Sequence, residues 1–311
     1  MLLRDWLCGI INISLALTLS LSPPVFGQKD NDKSAPEGKP VLWREPSDIA
    51  SRDLYLGPGG EAMKPDVNNV TFIKDEAGGS YSKKYRVKDG AGRVWVAKLS
   101  SESQSETVAN RLLWAVGYFT EISYLVPRVT IEGKGSFENI RFEARPENIK
   151  REGEWSWDRN HFTDAPEFRG LKVLMLLFNN WDIKDENNKI LVARNEQSGE
   201  SELLYIISDL GATFGRTGNF FSRTRNKPED YAKAKFIEGV KGNYVKFNYD
   251  GKRGDLFQRI TIEDVKWAAD LMSRLSDQQI ADAFRAGNYN DQQIRLLTNT
   301  LKERIQKMKS L

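Results

Sequence analysis

The sequence predicts an α+β chain of two unequal lobes, a small antiparallel sheet with one helix followed by a larger, mainly helical lobe. Three observations predict it. Short alternating segments separated by glycine turns run from Val70 to Leu99. A stretch apolar on nearly every side runs from Pro166 to Trp181. Amphipathic helices then fill the C-terminal part, at about Ile262–Leu275, Asp277–Ala286 and Asp291–Lys309.

The elements follow in order. Val70 to Asp75 reads as a strand, Ala77-Gly78-Gly79-Ser80 as a turn, and Tyr81 to Lys88 as a second strand. Asp89-Gly90-Ala91-Gly92 is a hairpin signal. In the third strand, Val94–Leu99, Val96 and Lys98 share one face, and Trp95 and Ala97 share the other. Val108, Leu112, Leu113, Val116 and Phe119 recur at helical spacing. Pro127 to Arg145 alternates again, as further strands. A helix patterned like 166–181 belongs at the centre of its domain. Two short strands follow it, near Lys189–Arg194 and Leu203–Ser208.

The two lobes are expected over 70–147 and 148–311, behind a signal peptide at 1–27 and a polar leader and extension at 28–69. Arg4, the apolar run Trp6–Leu21, Pro23-Pro24 and the small residues before Gln28 have the order of an export signal. The run is short for a bilayer span, which takes about 20 apolar residues. The expectation is therefore an exported, periplasmic or extracellular chain with no membrane span after cleavage. Gln28 to about Pro40 has the composition of a disordered leader. Trp43 to Met63 reads as an ordered extension lying on the domain.

Among 311 residues, 46 Lys and Arg against 43 Asp and Glu leave a net charge of +3, which argues against nucleic acid as a partner. Cys8 is the only cysteine and lies in the signal, so the mature chain has neither a thiol nucleophile nor a thiolate metal site. The single histidine, His161, reads as a surface-loop residue and cannot build a histidine zinc site.

The chemistry lies in three short motifs in one order. Val96-Ala97-Lys98 stands on the third strand, Asp182-Ile183-Lys184-Asp185-Glu186-Asn187 directly follows the buried helix, and Ser208-Asp209-Leu210-Gly211 ends the later hairpin. Each alone is a common surface or turn pattern. Together the chain resembles the protein-kinase-like superfamily, marked by a strand Lys, an Asp followed five residues on by Asn, and an Asp-x-Gly. Asn180-Trp181 replaces His-Arg before Asp182, the hairpin from Asn187 to Asp209 is long, and the glycine turn is short. These departures resemble atypical members: HipA-type, phosphoinositide-kinase-like and secretory-pathway kinases. Leu112–Phe119 and Asn179–Asp182 are also similar to a group of uncharacterised exported bacterial proteins.

The resemblance implies a two-lobed protein-kinase-like fold and transfer of phosphate from ATP, with Mg²⁺, to a hydroxyl on a protein, lipid or carbohydrate. Asp182 and Lys184 would be catalytic, and Asn187 and Asp209 would hold the metal as hard oxygen ligands. Lys98 would reach the phosphates, and Gly78 and Gly79 would cover them. Glu106 has two readings: partner of Lys98, or second member of a capping box with Ser103. Glu102 is a weaker substitute.

Because ATP is scarce outside the cytoplasm, a catalytically silent binding or scaffold protein on this fold is the alternative. A third reading is an envelope protein that stacks carbohydrate on Trp155 and Trp157, a pair that also reads as packing near the lobe hinge. Arg216, Arg223, Arg225 and Lys227, with Phe214, Phe220 and Phe221, read as a solvated loop or as a phosphate or acceptor contact.

Overall fold

The computed structural model describes residues 37–76, 82–146, 149–195 and 198–311. The expected signal peptide, most of the leader, and Gly78 and Gly79 lie outside the described residues. From Pro36 on, the chain is one compact unit.

Strand β1, Lys39–Val41, pairs in parallel with a later strand of the second lobe. Lys39 and Pro40, the end of the expected leader, are therefore strand. Pro40 is tolerated there because β1 is an edge strand, where a missing N–H costs no ladder bond. The following extension is fastened by buried Leu42 and Leu54 and by Trp43, whose Nε1 donates to Val116 O at 2.7 Å.

The small lobe holds β2 (Val70–Asp75), β3 (Lys83–Lys88), β4 (Val94–Leu99), helix α1 (Ser103–Ala115), β5 (Ser123–Glu132) and β6 (Gly135–Ala144). The expected sheet is in fact a closed barrel of order β2-β3-β4-β6-β5. Its closing pair, β2 with β5, is parallel, so the sheet is not wholly antiparallel. Closure removes both edges and buries an apolar interior of Tyr85, Val87, Trp95, Ala97, Ile131, Ile140 and Phe142. On β4, Trp95 and Ala97 point inward, which leaves Lys98 on the outer face. Helix α1 packs over β5 and β6 and is buried on nearly every side.

After β7 (Lys150–Arg151), helix α2 (Pro166–Leu177) runs through the centre of the second lobe with Phe168, Leu171, Val173, Leu174 and Met175 buried. It stops at Leu177, one turn short of the expected end. Asn179 takes a left-handed φ of 54°, which asparagine tolerates and a helix cannot continue through. The chain then forms β8 (Asn188–Arg194), β9 (Ser201–Ile207), α3 (Pro228–Lys233), β10 (Ile237–Lys241) and β11 (Tyr244–Phe247). Helices α4 (Ile262–Met272), α5 (Asp277–Ala286) and α6 (Asp291–Lys309) complete the lobe. Thr261, Ser276 and Asn290 start these last three with reciprocal capping boxes. Strands β1, β9, β8 and β7 form one sheet in that order. Helix α3 and the β10–β11 hairpin were not anticipated from sequence, because short segments carry little periodicity.

Helix α4 crosses α2 at Gly170, where a Cβ would collide with the Trp267 ring. That ring in turn packs edge-on against Trp43, with centroids 5.6 Å apart. Gly170→Ala is expected to cost about 1–3 kcal/mol, the usual penalty of overpacking. Urea unfolding of the variant checks it, and an unchanged midpoint would show that Trp267 moves aside freely.

Candidate active site

Lys98 is 2% exposed, a cation that must be paired to be tolerated there. Its Nζ lies 2.9 Å from Glu106 Oε2 and 3.4 Å from Asp209 Oδ1. One ammonium thus joins strand β4, helix α1 and the loop that follows β9. Burial alone would lower the Lys98 pKa, but the two carboxylates outweigh it and hold the group above the ordinary lysine value. Burial also pushes the Asp209 carboxyl up, yet Lys98 and Arg141 prevail and keep it below the usual carboxylate range. Asp209 is therefore ionised at neutral pH.

Glu106 makes the ion pair and no capping box. The N-cap residue is Glu102, without a side-chain cap, and the Ser103 hydroxyl donates to Lys98 O at 3.2 Å. Glu102 stands farther from Lys98, at 3.9 Å, and is taken up by Arg225.

Sequence reasoning missed the arginine that completes this centre. Arg141 Nη2 on β6 sits between Glu106 Oε1 at 2.9 Å and Glu143 Oε2 at 2.8 Å. Glu121 Oε2 is 3.8 Å from its Nη1. Arg151 of β7 carries the network on, at 2.7 Å from both Glu121 and Glu143. Glu121 also accepts from the Ser208 hydroxyl at 2.7 Å, beside Asp209. Burial and the neighbouring Glu143 push the Glu121 carboxyl up to about 7. Burial acts on Glu143 in the same sense, but Arg141 and Arg145 overcome it and hold that carboxyl well below the usual range. In the sequence, Ile140-Arg141-Phe142-Glu143-Ala144 reads as a strand with one solvated face. Glu106 of α1 meets Arg141 and Arg151 of β7 meets Glu143, and these contacts turn the face inward.

The loop after α2 carries the other candidates. Asn187 Nδ2 donates to Asp182 O at 2.8 Å, which fixes the amide and leaves Oδ1, the atom a hard cation needs, outside that bond. The Asp182 carboxylate caps no helix. It meets Lys184 Nζ at 2.8 Å and Lys252 Nζ at 2.6 Å. Lys252, from the loop beyond β11, had no signal in the sequence.

Next to Asp182, the Trp181 indole donates to Thr224 O at 2.8 Å. Arg223 stacks on its ring at 4.3 Å, and Arg225 lies over it at 5.0 Å while pairing with Glu102. Through these two arginines the loop is tied to Trp181, beside Asp182.

The donor set suits a hard divalent cation. Among the described residues no group of three or more His, Cys, Asp or Glu side chains is placed to hold a metal. Asp209 and Asn187 would contribute one carboxylate and one amide oxygen. That is the sparse protein share typical of Mg²⁺ bound with phosphate.

Trp155 and Trp157 do not form a sugar platform. They are 3% and 2% exposed and pack at 5.0 Å on each other and against Phe168 of α2. His161 lies in an exposed turn.

No family model and no curated protein matches the chain. Among solved structures it is similar to the Helicobacter pylori proinflammatory kinase CtkA, at 12% identity and a TM-score of 0.47, over 77% of this chain and 96% of that one. It is also similar to the Rio2 kinase from Chaetomium thermophilum, solved as an ADP/Mg²⁺-phosphoaspartate complex, at 14% identity and a TM-score of 0.30, over 79% of this chain and 74% of that one. With overlaps this loose, the chain's own features carry the reading: an apolar core inside the barrel, a second around α2, and Lys98, Glu106 and Asp209 brought together from β4, α1 and the loop after β9.

Proposed function

We propose that this chain is an exported phosphotransferase that moves a phosphoryl group from ATP to a hydroxyl on a protein, lipid or carbohydrate. The observation that carries the reading is the buried Lys98 ammonium held at once by Glu106 and Asp209. A structural ion pair needs one carboxylate. The second comes from the other lobe and is held at the cation's reach, as transfer chemistry requires for a phosphate–metal pair.

In this reading Lys98 contacts the phosphates and Glu106 positions it. Asp209 and Asn187 hold Mg²⁺, which would neutralise charge on the phosphate oxygens. Asp182 orients the acceptor hydroxyl, and its ion pairs with Lys184 and Lys252 hold the carboxylate in place. Gly78 and Gly79 are proposed to cover the phosphates.

Asp209→Asn removes the only formal charge among the proposed metal ligands. It is expected to weaken Mg²⁺-ATP binding at least about tenfold, the effect of losing a charge-assisted contact of roughly 1.5–3 kcal/mol, with the fold retained. Calorimetry on wild type and variant checks it, and equal affinities would remove Asp209 from the metal site. Wild-type protein that binds nucleotide but transfers no phosphate would instead assign the silent scaffold reading.

A further inference from the structure

The loop from Phe214 to Lys227 contains Arg216, Arg223, Arg225 and Lys227 and no acidic residue. At its tip, Phe220 is 75% exposed and Phe221 is 93% exposed, with ring centroids 5.4 Å apart. Two adjacent aromatic side chains left in water forgo a large burial energy. The display is built and not frayed. Asn219 Oδ1 accepts from the Phe221 and Ser222 backbone N–H groups at 3.0 and 3.2 Å, and from the Ser222 hydroxyl at 3.1 Å. Gly218 N–H donates to Asp250 O at 2.6 Å, and Thr224 N–H donates to Arg216 O at 2.9 Å.

The charges around the tip are available. Arg225 is paired with Glu102, but Arg216, Arg223 and Lys227 form no ion pair among the described residues. Arg216 Nε donates only to Ser222 O, at 3.1 Å, and Arg223 lies between the Trp181 and Phe220 rings, at 4.3 and 5.4 Å.

We infer that this loop docks the protein on an anionic lipid surface. Phe220 and Phe221 would enter the interface, and Arg216, Arg223 and Lys227 would meet lipid phosphates. A side chain as exposed as Phe221 has no groove of its own protein around it. An interfacial acyl layer closes round such a side chain and desolvates it, and the unpaired cations beside it match the phosphates of anionic lipid. Arginines beside it lay their stems along the apolar layer and keep their guanidinium groups at the phosphate level. Because Trp181 ties the loop to the residue next to Asp182, docking would set the membrane surface beside the acceptor side of the site. This inference goes beyond phosphate transfer, and its test uses no nucleotide.

The test is co-sedimentation of the full chain with phosphatidylcholine vesicles, with and without about one-third phosphatidylglycerol. The apolar stretch at 6–21 contributes similarly to both arms, so the anionic excess is the readout. Wild type is expected to bind the anionic vesicles at least about tenfold more tightly, consistent with two or three cations near the surface. High salt should abolish that preference. Phe220→Ser/Phe221→Ser should lower anionic-vesicle binding by about tenfold with an unchanged circular dichroism spectrum. Arg216→Gln/Arg223→Gln should remove most of the preference for phosphatidylglycerol, leaving the share of Lys227. No anionic preference in wild type, or equal binding by wild type and the Phe variant, would overturn the inference. So would a wild-type dimer in sedimentation that the Phe variant dissolves, which would make the patch a contact between copies.

Discussion

Replacement of Asp182 by Ala is expected to reduce phosphate transfer by about 10²–10⁴-fold, the usual worth of a positioned acid–base group, with Mg²⁺-ATP affinity nearly intact. The expectation follows from what Asp182 does and does not touch. Among the described residues its carboxylate meets Lys184 and Lys252, both partly exposed, and caps no helix. Losing it leaves two cations that water can solvate, so little stability should go with it. Its backbone carbonyl still accepts from Asn187 in the variant, and the Asn187 amide stays in place. Lys98, Glu106 and Asp209 belong to a separate set of contacts. Transfer to envelope extracts, nucleotide affinity by calorimetry and folded fraction by circular dichroism separate the possibilities. A variant as active as wild type would remove Asp182 from the catalytic group. A variant that loses nucleotide binding in proportion to transfer would make Asp182 part of the nucleotide site.

Arg141→Met should be the most damaging single change to the small lobe. The guanidinium is 3% exposed and stands between Glu106 and Glu143, with Glu121 close by. Methionine fills much of the volume but strands buried carboxylates, and breaking a buried pair from one side typically costs about 3–5 kcal/mol. Burial already pushes the Glu106 carboxyl up against the pull of Arg141 and Lys98. Without Arg141 it should take up a proton more readily and loosen its hold on Lys98. Nucleotide affinity per folded molecule should then fall together with the unfolding midpoint. Arg141→Lys should restore only part of both, since one ammonium cannot reproduce the forked contacts of the guanidinium. An unchanged urea midpoint in Arg141→Met would mean that the carboxylates relax to solvent.

The elements whose physics is local were legible in the residues. Helices α5 and α6 lie over the expected spans, because a capping residue and an unbroken amphipathic period are both written in adjacent positions. The strand segments of β2 to β4 and the turn between β3 and β4 were legible for the same reason. So was the order of the Lys98, Asp182–Asn187 and Asp209 motifs, since each is a short string on a recognisable element.

Other features depended on which surfaces meet. The parallel β2–β5 pair that closes the barrel joins strands far apart in the chain. The choice of Lys98 over a capping box for Glu106 was made by distance across β4 and α1. Arg141 and Glu143 alternate like solvent-facing strand residues and are a buried network because Glu106 of α1 and Arg151 of β7 meet them. Lys252 reached Asp182 through a loop with no periodicity to read, and Trp181 drew in Arg223 and Arg225. Trp155 and Trp157 could have faced solvent or core with the same sequence, and packing on Phe168 decided it. By itself, the sequence determined the kinds of element and the order of the chemical groups, which depend on neighbours along the chain. Only the tertiary structure decided which charges lose their water, because desolvation depends on partners that sequence spacing does not specify.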